Sequence, residues 1–170
     1  MAKSEAKPAA EARAEAGGQG PAGLYHAAIV EAARRACGSG RLDNPDSSVS
    51  VDNPLCGDRV SIDVHVAGGR LRGVAHRVRG CLLCEAAASI IATNAIGETA
   101  RELALVSAAL SDALADALAN ASVDGFTDGS IGWRDLGVFA PVARHRSRHR
   151  CVTLAFEALT SAMAQAGKGS

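Results

Sequence analysis

Alternating apolar and polar residues in the first half of the chain predict an antiparallel sheet. In RVSIDVHV (59–66), valine or isoleucine occupies every second position, so one face of this segment is apolar and the other is polar. The AGG sequence at 67–69 then turns the chain into RLRGVAHRV (70–78), which completes a predicted hairpin. SSVSV (47–51) alternates in the same way. We therefore expect a small three-stranded antiparallel sheet.

Helical periodicity flanks these strands on both sides. Apolar residues recur at intervals of three and four in 24–37, before the sheet, and in 81–97, 99–120 and 151–165, after it. The Gly- and Asp-rich stretch 122–138 predicts a loop with one weak helical turn. Because the strands and helices are separated along the chain, we expect an α+β fold in which several helices pack against one side of the sheet.

Composition limits the classes of partner. The chain has 170 residues, with 18 basic and 18 acidic side chains, so its formal net charge is zero. That balance predicts neither a nucleic-acid partner nor a membrane partner. No apolar run approaches the roughly 20 residues that a membrane-spanning helix needs. The charge is nevertheless uneven, because 98–135 is acidic and RHRSRHR (144–150) is strongly basic.

The termini differ in composition from the rest of the chain. Residues 1–22 are rich in Ala, Glu, Lys and Gly, have no continuous apolar stretch and predict a disordered tail. Residues 23–166 predict one folded domain, and 167–170 a flexible C-terminus. Five cysteines in a chain without an export signal favour the reducing cytoplasm. In that compartment, cysteines more often serve as ligands or nucleophiles than form disulfides.

Three cysteines are predicted at junctions between elements. Cys56 lies in the turn before the second strand, with Asp58 two residues further on. Cys81 and Cys151 are predicted to open helices, where unpaired N–H groups and the helix dipole lower a thiol's pKa from about 8.5 to roughly 3.5–7.5. Three thiolates and one carboxylate would complete a tetrahedral set for Zn²⁺ or iron. Spacing alone leaves open the alternative that each is a buried, apolar cysteine.

Several short motifs together carry a family resemblance. NPLCGD (53–58), GC (80–81) followed by AAASIIA (86–92), and RHRCVTLAFEAL (148–159) resemble the IscU/NifU/SufU family of iron–sulfur cluster assembly scaffolds. The resemblance extends from about residue 24 to Met163. It implies that the ligands of a metal or cluster are Cys56, Asp58, Cys81 and Cys151.

Within that family the chain most resembles the SufU branch. The segment between Cys81 and Cys151 is longer than in IscU-type proteins, and Arg150 stands where those proteins have a histidine ligand. His149 is one position away and does not match that ligand. The chaperone-binding Leu-Pro-Pro-Val-Lys segment of the IscU type is also missing, so the resemblance implies no dedicated chaperone.

The resemblance implies a non-enzymatic scaffold or sulfurtransferase-type partner of a cysteine desulfurase. Such a protein accepts persulfide sulfur from a SufS-like desulfurase, for which Cys56 is the candidate acceptor, and serves iron–sulfur acceptor proteins. It carries Zn²⁺ or a transient [2Fe–2S] or [4Fe–4S] cluster. Asp58 would be the weakest ligand and would ease release. A structural zinc-binding interaction module is the alternative from another class.

Cys84 adds a second thiol one helical turn after Cys81. The resulting CLLC sequence alone is typical of a thioredoxin-like redox pair, but an antiparallel hairpin precedes it rather than a βαβ unit. We therefore interpret Cys84 as either a core residue of the helix or a spare thiol that can exchange onto the metal. The basic run 144–150 suits partner docking or stabilisation of a thiolate. The remaining cysteine and three histidines are expected to be structural (Cys37, His76) or ordinary surface residues (His26, His65).

Overall fold

The computed structural model describes the backbone of residues 21–169 and the side chains of residues 26–169. The predicted tail, 1–22, therefore lies outside the described residues except for its last two, which begin the first helix. Ser170 also lies outside. The predicted C-terminal segment otherwise continues the last helix as far as Lys168.

Helices and strands are segregated along the described chain. In order, the elements are α1 (Pro21–Arg35), β1 (Ser47–Asn53), β2 (Asp58–Ala67), β3 (Arg70–Arg79), α2 (Leu82–Asn94), α3 (Ala100–Asn120), α4 (Asp124–Thr127), a 3-10 helix (Arg134–Arg144) and α5 (Arg146–Lys168). The predicted α+β class is confirmed. No helix among these is long and apolar enough to cross a membrane.

The sheet is antiparallel, with strand order β1–β2–β3 among the described residues. Ile62 of β2 pairs with Val49 on one side and with His76 on the other. The apolar face of β2, with Val60, Ile62 and Val64, is fully buried. Helix α5 packs across β1 and β2, so the helix that carries Cys151 lies directly on the central strand.

The polar face of the sheet is partly covered by the loop between α1 and β1. Asp63, on that face, is only 1% exposed. Its carboxylate accepts hydrogen bonds from the Ser48 hydroxyl, at 2.7 Å, and from the Leu42 N–H, at 3.2 Å.

His76 is buried, with Nε2 2.7 Å from the Cys37 carbonyl oxygen. The expectation that His76 is a core histidine is confirmed, but it is not fully satisfied, because its buried Nδ1 has no hydrogen-bond partner among the described residues.

Two expectations for the second half of the chain were wrong in their boundaries. Helix α5 begins at Arg146 and not at residue 151. The sequence pattern missed this start because the first residues of the helix are polar and show no apolar periodicity. The stretch 122–138 contains one helical turn, α4, as predicted, but it also contains the start of the 3-10 helix, which continues to Arg144. Buried apolar side chains anchor this region: Phe126, Ile131, Trp133 and Leu136 within the stretch, and Phe139, Ala140, Val142 and Ala143 in the rest of the 3-10 helix.

The contact between Trp133 and Phe156 fixes the segment before the 3-10 helix against α5. The ring centroids are 5.7 Å apart and the rings are tilted by 41°. Phe156→Ala should lower the free energy of unfolding by about 3–5 kcal/mol, because it leaves a cavity beneath the helix that carries Cys151. Urea denaturation followed by fluorescence of Trp133, the single tryptophan, measures this. Leu105→Ala is the control, because Leu105 is exposed and should change stability by less than about 0.5 kcal/mol. Equal losses in the two variants would contradict the expectation.

Candidate metal centre

Cys56 is presented to solvent by a tight turn between β1 and β2. The carbonyl of Asn53 accepts hydrogen bonds from the N–H groups of Cys56, at 3.3 Å, and Gly57, at 2.8 Å, while its side-chain oxygen accepts one from Leu55 N–H. Gly57 has φ +77°, a conformation that favours glycine. Cys56 is exposed, and the neighbouring Leu55 is 91% exposed. The turn therefore holds the thiol where another protein can reach it.

Asp58 begins β2 and lies inward from Cys56, at only 7% exposure. Its carboxyl group lies directly against Gly80, which ends the hairpin. A Cβ atom added at Gly80 would lie 2.6 Å from both Cγ and Oδ1 of Asp58, closer than real contacts allow. Because glycine has no side chain, residue 80 leaves room for the Asp58 carboxylate beside Cys81.

Cys81 caps the N-terminus of α2, and Cys84 lies on the same face one turn later. Their sulfur atoms are 3.9 Å apart. The Cys84 thiol is buried and lies 3.5 Å from Oδ2 of Asp58. The first alternative for Cys84 is confirmed, since it belongs to the apolar core. Its sulfur also contacts the polar cluster, and exchange of this thiol onto a metal stays a prediction.

Cys151 reaches the site from α5. Because that helix begins at Arg146, Cys151 lies more than one turn inside it and not at its N-terminus. The expectation that the helix terminus lowers the pKa of this thiol was therefore wrong. Burial, together with the neighbouring Cys81 thiolate, instead raises the pKa of Cys151 to about 12.

The donor atoms form two overlapping groups at one edge of the sheet. Those of Cys56, Asp58 and Cys151 all lie within 4.8 Å of one another, and so do those of Asp58, Cys81 and Cys84. All four predicted site residues are thus brought to one place, with Asp58 shared between the groups. Cys84 lies outside the predicted ligand set, although the CLLC sequence had marked it as a possible spare thiol.

The electrostatics of the cluster is set by its close packing. Burial would raise the pKa of Asp58, but hydrogen bonding with the surrounding cysteines, above all the Cys56 and Cys84 thiols, holds it below its usual value. The Cys84 thiol, with help from backbone N–H groups at the start of α2, lowers the pKa of Cys81 to about 6. The neighbouring Cys81 side chain, together with burial, raises the pKa of Cys84. Cys81 is therefore the thiolate of the inner pair.

Other candidate residues have different partners. Nε2 of His149 lies 2.6 Å from the Ala143 carbonyl oxygen, and Arg150 forms an ion pair with Glu157 two turns further along α5. Neither contact directs these side chains to the donor cluster.

Cys37 donates its backbone N–H to the Ser89 hydroxyl, at 3.1 Å, which ties the end of α1 to α2. That contact agrees with the structural role expected for Cys37.

A cavity of about 460 Å³ adjoins the donor cluster. Cys81 forms part of its wall, together with Leu82, Pro141, His145 and Arg148. Arg148 and His145 come from the basic run, so this run borders a mostly apolar hollow beside the candidate centre. A partner segment entering the hollow would reach Cys81 directly.

The donor types fit a soft or borderline metal. Thiolates are the preferred ligands of Zn²⁺ and of iron in iron–sulfur clusters, and a carboxylate oxygen is a harder, weaker partner for them. The Asp58 carboxylate is buried among thiols, and within the described part of the chain no cationic side chain is among its hydrogen-bond partners. Such a group is well placed for a cation at the centre of the cluster.

Comparison with known proteins agrees with this arrangement. The NifU-like N-terminal domain matches residues 24–128. A curated relative, the iron–sulfur cluster assembly scaffold protein IscU of Streptococcus pyogenes, is 27% identical over 140 residues, which cover 82% of each chain. The crystal structure of a nitrogen-fixing NifU-like protein from Brucella abortus superimposes with a TM-score of 0.74 at 29% identity, covering 86% of this chain and 96% of that one.

A further solved structure has the same fold at lower identity. It is a scaffold ascribed to the SUF system of Fervidobacterium islandicum, with a TM-score of 0.71 and 18% identity, and the match covers 85% of this chain and 99% of that chain. The chain belongs to the family of NifU-like N-terminal domains. The predicted family is confirmed, whereas the SufU branch stays a prediction.

Gly80→Ala should lower the free energy of unfolding of the metal-free protein by about 1–3 kcal/mol, because the added Cβ would overlap the Asp58 carboxyl group and one of them must shift. Urea denaturation in the presence of a chelator measures this loss. Gly167→Ala is the matched control and should lose no stability, because a Cβ there meets nothing within 4 Å. An unchanged free energy of unfolding in Gly80→Ala would show that the contact with Asp58 relaxes without cost.

Proposed function

We propose that this protein is an iron–sulfur cluster assembly scaffold of the SufU type. It accepts persulfide sulfur from a SufS-like cysteine desulfurase in the cytoplasm and delivers sulfur or a cluster to acceptor proteins. A transient [2Fe–2S] or [4Fe–4S] cluster, or Zn²⁺, is held by Cys56, Asp58, Cys81 and Cys151. Family membership and the curated relative's description support the scaffold role.

One observation carries the proposal: thiols from three separate segments converge around a buried carboxylate, and one of them remains exposed. A structural zinc site has no need of an exposed ligand on a turn. An electron-transfer protein would hold its cluster with four cysteines. The mixed donor set, with Cys56 at the surface, suits cargo that arrives and leaves.

Sulfur transfer needs an accessible thiolate. Cys56 attacks the outer sulfur of a desulfurase Cys–S–SH group, the sulfur–sulfur bond of the donor breaks, and the desulfurase cysteine leaves as a thiolate. Cys56 then carries Cys–S–SH, and the exchange requires no external oxidant or reductant. The exposure of Cys56 supports its role as acceptor, because Cys84 and Cys151 are buried.

Purification without oxygen, followed by assays of metal and acid-labile sulfide, tests the proposal. The protein is then mixed with a SufS-type desulfurase and cysteine, and mass spectrometry locates any added sulfur. A persulfide on Cys56 or a newly formed cluster is expected. Tightly held zinc with no sulfur uptake would favour the structural zinc module instead. A readily formed Cys81–Cys84 disulfide with no metal would favour the thiol-redox alternative.

Cys81→Ser and Cys151→Ser should each remove the stabilisation that zinc gives the wild-type protein. At Zn²⁺ concentrations about 100 times the dissociation constant, that stabilisation is about 2.7 kcal/mol, because metal-binding free energy adds to folding free energy. Urea denaturation with and without zinc measures it. Cys37→Ser should keep the full zinc increment. Loss of the increment in Cys37→Ser alone would overturn the ligand set.

Asp58→Ala should retain the bound metal or cluster while slowing delivery to an acceptor protein, because it removes the weakest ligand and leaves three thiolates. The rate of delivery is measured beside metal content after gel filtration. Asp52→Ala is the control, because Asp52 is an exposed carboxylate whose partner is Arg59. If Asp58 only supports its turn, the variant would lose roughly 1 kcal/mol of stability and deliver at the normal rate.

A further inference from the structure

The Cys84 side chain has surroundings that apolar packing alone does not explain. It is completely buried and belongs to the apolar core. Its sulfur nevertheless lies 3.5 Å from Oδ2 of Asp58 and 3.9 Å from the Cys81 sulfur. A cysteine that only fills space in a helix could turn its sulfur toward the neighbouring alanine and leucine side chains. Here the sulfur contacts two other metal-ligating groups.

The two distances match the edges of a tetrahedral metal site. Two thiolates on one zinc, each with a bond of about 2.3 Å, lie about 3.8 Å apart at the tetrahedral angle. A thiolate and a carboxylate oxygen, with an oxygen bond of about 2.0–2.2 Å, lie about 3.5 Å apart. The separations of Cys84 from Cys81 and from Asp58 are therefore those of ligands to a shared ion. Cys84 therefore lies at ligand distance from Cys81 and Asp58 as the structure stands, while the neighbouring group of Cys56, Asp58 and Cys151 does not include it.

We propose that Cys84 is a fifth ligand of the centre and that it replaces Asp58 in a form held by four thiolates. The inference rests on the proposed function for the identity of the other three ligands, Cys56, Cys81 and Cys151. Asp58 is the residue common to both donor groups. When Asp58 leaves the ion, Cys56, Cys81 and Cys151 remain as ligands, and Cys84 completes a set of four thiolates as the two groups close around one ion.

The exchange gives the centre a tight form and a loose form. Four thiolates are the ligand set of stably held iron–sulfur clusters and structural zinc, whereas the carboxylate is the weaker donor. As Cys84 binds, its thiol proton passes to solvent and the Asp58 carboxylate leaves the ion. The reverse exchange takes the proton back, so neither direction involves oxidation or reduction. The loose form is the one from which cargo departs.

Zinc-loaded variants test this by X-ray absorption at the zinc edge, which counts sulfur neighbours directly. In Asp58→Ala, Cys84 should supply the missing ligand, and zinc should have four sulfur neighbours. In Asp58→Ala/Cys84→Ala, zinc should have three sulfur neighbours and one lighter atom, with an affinity lower by tenfold or more. Asp58→Ala/Cys37→Ala is the matched control and should keep four sulfurs.

Three sulfur neighbours in Asp58→Ala would overturn the proposal, as would equal zinc affinities for Asp58→Ala and the Asp58→Ala/Cys84→Ala protein. Far-UV circular dichroism establishes that each variant is folded. If alanine at residue 84 prevents folding, Asp58→Ala/Cys84→Val fills the core with a side chain of similar volume that cannot bind metal. The sulfur count in Asp58→Ala requires no change at residue 84.

The outcome is separable from that of the proposed function. The zinc measurement involves no desulfurase and no acceptor protein. Four sulfurs in Asp58→Ala, with no uptake of persulfide by the wild-type protein, would support the role of Cys84 and refute sulfur transfer. Persulfide uptake with three sulfurs in Asp58→Ala would do the reverse.

Discussion

The close approach of the Asp58 carboxylate to Gly80 is the constraint on which the candidate centre depends. It brings the first residue of β2 against the last residue of the hairpin, where any side chain at residue 80 would collide with the carboxyl group. The same approach brings Asp58 within reach of both thiols at the start of α2. Burying a carboxylate there is unfavourable unless it is hydrogen-bonded or binds a cation. The thiols around it serve the first purpose and provide ligands for the second.

The elements around this contact divide the site into two parts. Cys81, Cys84 and Cys151 lie on helices that pack into the core, so their positions are set by the same packing that stabilises the fold. Cys56 lies on a turn held by hydrogen bonds to Asn53, with an exposed leucine beside it. Ligands on packed helices are held in place with little freedom, whereas a ligand on an exposed turn can meet a partner. That division suits a centre that keeps part of its ligand set while the rest takes part in transfer.

Local periodicity predicted most of the fold, because the strands alternate strictly and the long helices have apolar faces. It failed where structure depends on contacts distant in sequence. Trp133, Leu136 and Phe139 gave no strong helical signal within a Gly- and Asp-rich stretch, and they are buried because α1, α3, α4 and α5 pack around this region. The first turns of α5 consist of arginine, histidine and serine, so the apolar pattern placed the helix start too late. Asp63 is buried by a loop that no local pattern could place over the sheet.

The sequence predicted the candidate site about as well as it predicted the fold, and its errors there have related causes. Cys56, Asp58 and Cys81 lie at junctions that the strand and helix patterns locate, so their convergence followed from topology and family resemblance. The error for Cys151 followed from the misplaced helix start, since the expected effect of a helix terminus on its pKa depends on that position. The involvement of Cys84 could not be decided from spacing, because a residue at i+3 can face the core, the site or both. In this fold the candidate site borders the apolar core directly. The buried Cys84 sulfur therefore packs among apolar side chains and also contacts Asp58. As the proposed fifth ligand, a thiol buried in that way would be protected from solvent until it replaced Asp58.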